Sequence, residues 1–122
     1  MTRYVKVLNQ TQGTTLVTRA KWCESFLCRL RGLTFRRKLE SATGLILVQR
    51  RESLADATIH MLGVFFPLGI IWIDAQRRVV DHTIAHPMRI YAPQAPAQYV
   101  LEGDATIVER VAVGDVLEFQ DR

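Results

Sequence analysis

At 122 residues the chain has the length of one domain, residues 1–122, able to bury about two thirds of the surface its unfolded form exposes. Its 48% hydrophobic and 23% charged residues exclude disordered and fibrous classes, and its two cysteines, five positions apart, give no CxxC pair, zinc ribbon or disulfide framework. The net charge of +4 is unevenly placed, +7 over residues 1–61 and −3 over residues 62–122, so any attraction for a polyanion belongs to the N-terminal half.

The first ten residues, MTRYVKVLNQ, lack the apolar core and small-residue cleavage site of a secretory signal, which sets the expectation of a cytoplasmic location. Tyr4 to Leu8 and Thr14 to Thr18 alternate polar and apolar residues on either side of Asn9 to Gly13, the pattern of a β-hairpin with Gly13 at positive φ. Thr18 is then placed to cap a helix, because Trp22, Cys23, Phe26, Leu27 and Leu30 recur at three- and four-residue spacings from Ala20 to about Leu30. Gly32 is the stop, and Thr34 to Glu40 reads as a basic surface loop. Seven of the 16 basic residues fall between Arg19 and Lys38, and Arg29, Arg31, Arg36, Arg37 and Lys38 form an anion-binding candidate set. A solvated helix face running into a charged loop accounts for the same residues.

Gly44 opens Leu45 to Val48, an apolar run without alternation that predicts a strand covered on both faces. After a loop at Ser53 to Asp56, the stretch Thr58 to Asp74, TIHMLGVFFPLGIIWID, concentrates the apolar mass of the chain. A spanning helix needs about 20 apolar residues. Here Gly63, Pro67 and Gly69 interrupt the run, so it reads as a strand at Thr58 to Met61, a bent connection, and a buried strand at Ile70 to Asp74, with no transmembrane segment. Asp74-Ala75-Gln76 turns the chain into Arg78 to Ile84, which returns antiparallel. Ala85 to Gln98, with Pro87, Pro93 and Pro96, is an irregular crossing that holds a short extended piece at Met88 to Tyr91. Tyr99 to Glu102 is a strand, Asp104 caps a helical turn from Ala105 to about Val111, and Gly114-Asp115 leads into a last strand, Val116 to Phe119. The whole is mainly β (α+β), a compact antiparallel β-barrel or jelly-roll-like sandwich with one packed amphipathic helix near the N-terminus.

His82 and His86 have the four-residue spacing of a helical metal pair, but Val79, Val80, Thr83 and Ile84 favour a strand, on which four residues span about 13 Å. Neither a metal nor a cofactor is expected. His60 lies in the apolar stretch, where an imidazole needs hydrogen-bond partners and can titrate near neutrality. It reads either as a satisfied core histidine or as the centre of a ligand surface with Gly63, Pro67 and Gly69. A general-base role would need a carboxylate, for which Asp81 and Asp56 are the candidates. Cys23 reads as a small core residue and Cys28, roughly 140° away around the expected helix, as an exposed thiol. Trp22 and Trp72, within apolar runs, read as core.

Six ordered pieces, LRGL at Leu30 to Leu33, GLIL at Gly44 to Leu47, IHMLGVFFPLGIIWID at Ile59 to Asp74, RVV at Arg78 to Val80, YVLE at Tyr99 to Glu102, and GD at Gly114 and Asp115, resemble the domain of unknown function 192 family over roughly residues 14–119. The resemblance implies a β-barrel or jelly-roll-like domain with one packed helix and implies no established activity. His60, Pro67 and Asp74 match the family's pattern. Leu62, Gly63, Val64 and Gly69 stand where the family commonly carries polar or basic residues before the proline and an aspartate two positions after it.

The functional expectation is a non-catalytic binding module, monomer or homodimer, that takes a small molecule or protein partner at His60, Gly63, Pro67 and Gly69. One alternative is an enzyme in which His60 and Asp81 are catalytic. A second is nucleic-acid binding through the basic segment Arg19 to Lys38.

Overall fold

The alternation at the N-terminus builds the expected hairpin. In the computed structural model, which describes residues 2–25, 28 and 43–121, β1 (Tyr4–Asn9) pairs antiparallel with β2 (Thr14–Cys23) across a turn in which Gly13 has φ of 70°. β2 runs further than its sequence suggests and takes in Ala20 to Cys23, where a helix was expected. The apolar spacing there fits a helix, but these residues are claimed on both sides. Ala20 and Lys21 pair with β1, and Arg19 through Cys23 pair with β3 (Thr43–Ser53). Pairing on two sides outweighs a local period. Thr18 therefore lies inside a strand and not at a helix start. Of the rest of the expected helix, Glu24 and Ser25 lie in the bend after β2, Cys28 is a helical residue whose N–H donates to Ser25 Oγ at 3.1 Å, and the other residues, with Gly32 and the basic loop, fall outside the described residues.

The expectation that the cysteines do not pair is also corrected. Cys23, the last residue of β2, and Cys28 form a disulfide with their Cα atoms 5.5 Å apart, a separation that a bend after a strand end supplies. Neither is a free thiol.

Seven strands form one sheet in the order β6-β5-β8-β3-β2-β1-β9, where β5 is Leu68–Ile73, β6 Val79–Ala85, β8 Ala97–Gly103 and β9 Leu117–Asp121. The β2–β3 pair is parallel, so the sheet is mixed where an antiparallel one was expected. It curls into a half-barrel. Its edge strands approach where Arg78 bridges Val116, with Val79 N donating to Asp115 O and Leu117 N donating to Arg77 O. Two short strands, β4 (Ile59–His60) and β7 (Ile90–Tyr91), pair separately. The hairpin β5–β6 and the strand at Leu45 to Val48 stand where the sequence placed them, whereas the extended piece expected at Met88 to Tyr91 is only Ile90–Tyr91, because Met88 is a turn residue with φ of 69°.

Packing explains the continuous apolar runs. Alternate residues of β3, β5 and β8 serve different cores. Ile46, Val48, Ile71, Ile73, Tyr99 and Leu101 point into the half-barrel. Leu45, Leu47, Ile70, Trp72 and Val100 point to the other face, where Ala57, Ile59, Met61 and Val64 cover them. Trp72 is 1% exposed, and its Nε1 donates to the Ala57 carbonyl at 2.8 Å, so the covering segment is held by a polar bond as well as by area. No helix among the described residues is long and apolar enough to cross a membrane.

The two ends of the half-barrel are closed differently. At one end a 3-10 helix (Ala105–Arg110), capped by the Asp104 carboxylate accepting from Thr106 N, drops Ile107 into the core. At the other, Trp22, Tyr99 and Phe119 stack edge to face or tilted at centroid distances of 5.2 to 6.0 Å, with Arg3 over Trp22 and Arg77 over both Tyr99 and Phe119. Trp22 is thus half-buried and belongs to a cation-covered aromatic cluster.

Candidate functional site

β4 presents His60 to solvent and not to the core. Its Nδ1 accepts from Leu62 N at 3.3 Å, a local contact that turns the chain into the segment 61–67. Gly63 takes φ of 76° there, Pro67 is exposed, and Gly69 is buried on β5. Of the four residues grouped from the sequence, His60, Gly63 and Pro67 belong to one surface segment. Gly69 lies under the 3-10 helix, where a Cβ would stand 2.5 Å from the Asp104 carbonyl oxygen and 2.7 Å from Ile107 Cγ1. Its lack of a side chain is used in packing.

Among the described residues no carboxylate is joined to His60 by a hydrogen bond or ion pair. Asp81 sits on β6 with Oδ1 accepting from His82 N and Oδ2 accepting from Gln94 N at 3.0 Å. Asp56 lies in the turn before β4, its backbone N–H donating to Ser53 Oγ. Among the described residues no group of three His, Cys, Asp or Glu side chains is disposed to hold a metal ion. Arg29, Arg31, Arg36, Arg37 and Lys38 lie outside the described residues. Arg19, at the start of the basic segment, is exposed on β2 with its guanidinium 4.0 Å above the Tyr4 ring.

Beside His60 the structure gathers apolar side chains in water. Leu62 (47% exposed), Phe65 (64%), Met88 (68%) and Ile90 (69%) come from two segments stitched by Met61 N donating to Arg89 O and Met88 N donating to Met61 O. Ile90 is the pairing partner of His60, and Met88 holds a positive φ of 69°. Isolated exposed apolar residues are ordinary, but four on two laced segments form a patch.

The residue that sequence reasoning passed over is Glu102. It stands on β8 opposite Leu45 of β3 and Ile70 of β5, so alternation turns it to the face occupied by Trp72 and Val100. It is 6% exposed, and burial pushes its carboxyl up to about 7. The available signal was a charged residue closing the apolar run YVL, but a terminal Glu on a strand ordinarily reaches solvent. Only the neighbouring strands on both sides reveal that this one does not.

Comparison with known proteins decides the family. Residues 7–119 match DUF192, described as Uncharacterized ACR. The chain belongs to the DUF192 family. Similar members include a UPF0127 protein of Thermococcus kodakarensis, 34% identical over 115 residues that make up 93% of this chain and 72% of that protein, and one of Pyrococcus furiosus, 34% identical over 93% of this chain and 97% of the other. Their names state no activity. Among solved structures, a protein of unknown function from Novosphingobium aromaticivorans superposes with a TM-score of 0.80 at 26% identity, covering 94% of this chain and 83% of that one. A protein from Sinorhizobium meliloti, for which a role in transcription regulation has been suggested, superposes with a TM-score of 0.83 at 23% identity over 98% and 94% of the two chains. At that identity the second likeness speaks to the fold alone. In this chain Leu62 belongs to the exposed patch and Gly69 to the packing of the 3-10 helix, so each has a physical use of its own.

Proposed function

We propose that this DUF192 chain is a non-catalytic binding module that takes a small molecule or protein partner on the surface formed by His60, Gly63 and Pro67 with the segment around Met88 and Ile90. The observation that carries this reading is the set of exposed apolar side chains Leu62, Phe65, Met88 and Ile90, held together by backbone hydrogen bonds between their segments. Such a patch gains free energy by being covered, at about 25 cal/mol per Å² of apolar surface removed from water. Nothing catalytic is required of it. The bond at His60 Nδ1 orients the loop, and Asp81 is engaged elsewhere.

The test uses anilinonaphthalene sulfonate as an apolar probe and amide NMR to map it. Shifts should concentrate at residues 60–65 and 86–91, and the double substitution Phe65→Ser, Met88→Ser should abolish them without lowering the melting temperature. Shifts that fall elsewhere, or a substrate turnover that His60→Ala abolishes, would replace this reading with another, the second with an enzyme. Sedimentation of the same double variant asks whether the partner is a second copy.

The cytoplasmic location expected from the N-terminal residues meets an opposing observation in the Cys23–Cys28 bond, since a reducing cytosol ordinarily keeps thiols free. Alkylation of intact cells before lysis decides between them. Two free thiols support the cytoplasm and none supports an oxidising compartment.

A further inference from the structure

The pairing registers place Lys21, Leu45, Glu102, Ile70 and Thr83 in one row across β2, β3, β8, β5 and β6. Glu102 occupies the middle, with an aliphatic side chain on each side, and is 6% exposed. No hydrogen bond or ion pair engages its carboxylate among the described residues. Among the described residues, the charged and titratable groups on this face are committed or distant. Lys21 is two strands away, roughly 10 Å at the usual strand spacing. Asp81 accepts from His82 N and Gln94 N, Asp104 accepts from Thr106 N, and His60 Nδ1 accepts from Leu62 N.

A carboxyl in the middle of a sheet, unpartnered among the described residues, is a liability the fold does not need. Val100, two residues earlier on the same strand face, shows that an apolar side chain serves there. What the carboxyl lacks among the described residues is a positively charged donor. We propose that Glu102 anchors a site for a slender organic cation, an alkylammonium or alkylguanidinium group whose aliphatic stem lies against Leu45 and Ile70. At 6% exposure Glu102 has little open surface around it, which favours a slim head group over a bulky one. The aliphatic neighbours match a methylene stem, and an ionised carboxylate satisfies up to two N–H donors at once. A divalent ion would demand further oxygen or nitrogen ligands, which the described residues do not group there. The site adds ligand chemistry to the face that also carries the apolar patch. It rests on Glu102 and not on that patch, so that Phe65 and Met88 variants test one idea and Glu102 variants the other.

The exchange balances without any covalent step. Glu102 binds the cation as a carboxylate, so below about pH 7 each cation taken up releases one proton to solvent. The experiment follows the Glu102 carboxyl carbon by NMR in the full chain while n-butylammonium or guanidinium chloride is added. Saturable binding should lower the Glu102 midpoint, with affinity falling about tenfold for each pH unit below 7. Glu102→Gln should fold and bind either probe at least tenfold more weakly, while inorganic phosphate should not shift the resonance in either protein. Equal affinity in Glu102→Gln, or affinity independent of pH between about 5 and 7, overturns the proposal. So does a midpoint that is ordinary without probe and rises on Arg29→Gln or Arg31→Gln, because the chain's own arginine would then hold the carboxylate.

Discussion

Glu102 shares its strand face with Val100 and is flanked by Leu45 and Ile70, and burial raises its pKa from 4.5 to about 7. A folded-state value above the unfolded one means that the folded chain holds this proton more tightly. The stability tied to the neutral form is complete below about pH 4.5 and is lost as pH rises through about 7. Each tenfold change in proton affinity is worth about 1.4 kcal/mol, so the loss amounts to up to about 3 kcal/mol. Glu102→Gln, isosteric and always neutral, should therefore match the wild type near pH 4 and exceed it by up to about 3 kcal/mol at pH 8 in denaturant unfolding. Arg77 poses a different question. It holds φ of 68° in the turn between β5 and β6, a conformation that costs a non-glycine residue about 1 kcal/mol, and its guanidinium lies 4.7 Å from the Tyr99 centroid and 4.3 Å from that of Phe119. The contact offsets the strain by a similar amount. Arg77→Gly, which removes both terms, should stay within about 1 kcal/mol of the wild type, whereas Arg77→Ala keeps the strain and should be the less stable of the two by about 1 kcal/mol. Equal melting temperatures for the Gly and Ala variants would show that the backbone strain is relieved in some other way.

At the scale of elements, the 3-10 helix packs over two glycines, Gly69 and Gly103, of a row of three. Gly44, Gly103 and Gly69 are register partners on β3, β8 and β5, and the Cβ that each lacks would point at the helix or at backbone. Gly69→Ala should destabilise by about 1 to 3 kcal/mol, as overpacked sites do. Adding Ile107→Ala should not restore stability, since the shorter contact is with the Asp104 carbonyl oxygen, which that change leaves in place. Full rescue would place the clash at the side chain alone. Gly69 also shows why its role was hard to see in the sequence, where it reads as a breaker within an apolar run. Local pairings were legible: the β1–β2 and β5–β6 hairpins follow from alternation and turn residues a few positions apart. The four residues Ala20 to Cys23 were not. Their spacing is helical, and what makes them a strand is Thr43 to Leu47, about twenty residues later in the chain and parallel to them. The disulfide was hidden for the same reason, because Cys28 approaches Cys23 only once β2 ends between them.

Over the whole molecule, titrating groups of opposite sense set a single pH profile. Asp115, 6% exposed, closes the curl of the sheet: its Oδ2 accepts from Asn9 Nδ2, Gln12 Nε2 and Ala112 N, beside the backbone bonds that join β6 and β9. The Asn9 amide above all holds its carboxyl below the usual range, and the Thr106 backbone N–H does the same for Asp104. A depressed folded-state pKa contributes stability that is present above the ordinary carboxylate value and lost as pH falls through the folded one. Acid thus opens the contact between sheet edges, while alkali ionises Glu102 in the opposite core. Stability of the wild type should peak at about pH 4 to 4.5, between the ordinary Asp value of 3.8 and the ordinary Glu value of 4.5, and in Glu102→Gln the plateau should extend through pH 8. Asp115→Ala leaves three donors without their acceptor and should cost about 3 kcal/mol at neutral pH. Amide exchange separates this from a general loosening: Val79 and Leu117, which bond across the closure, should exchange faster than Ile46 and Leu101 in the middle of the sheet. Uniform acceleration at all four would mean that Asp115 supports the whole fold and not the meeting of its edges.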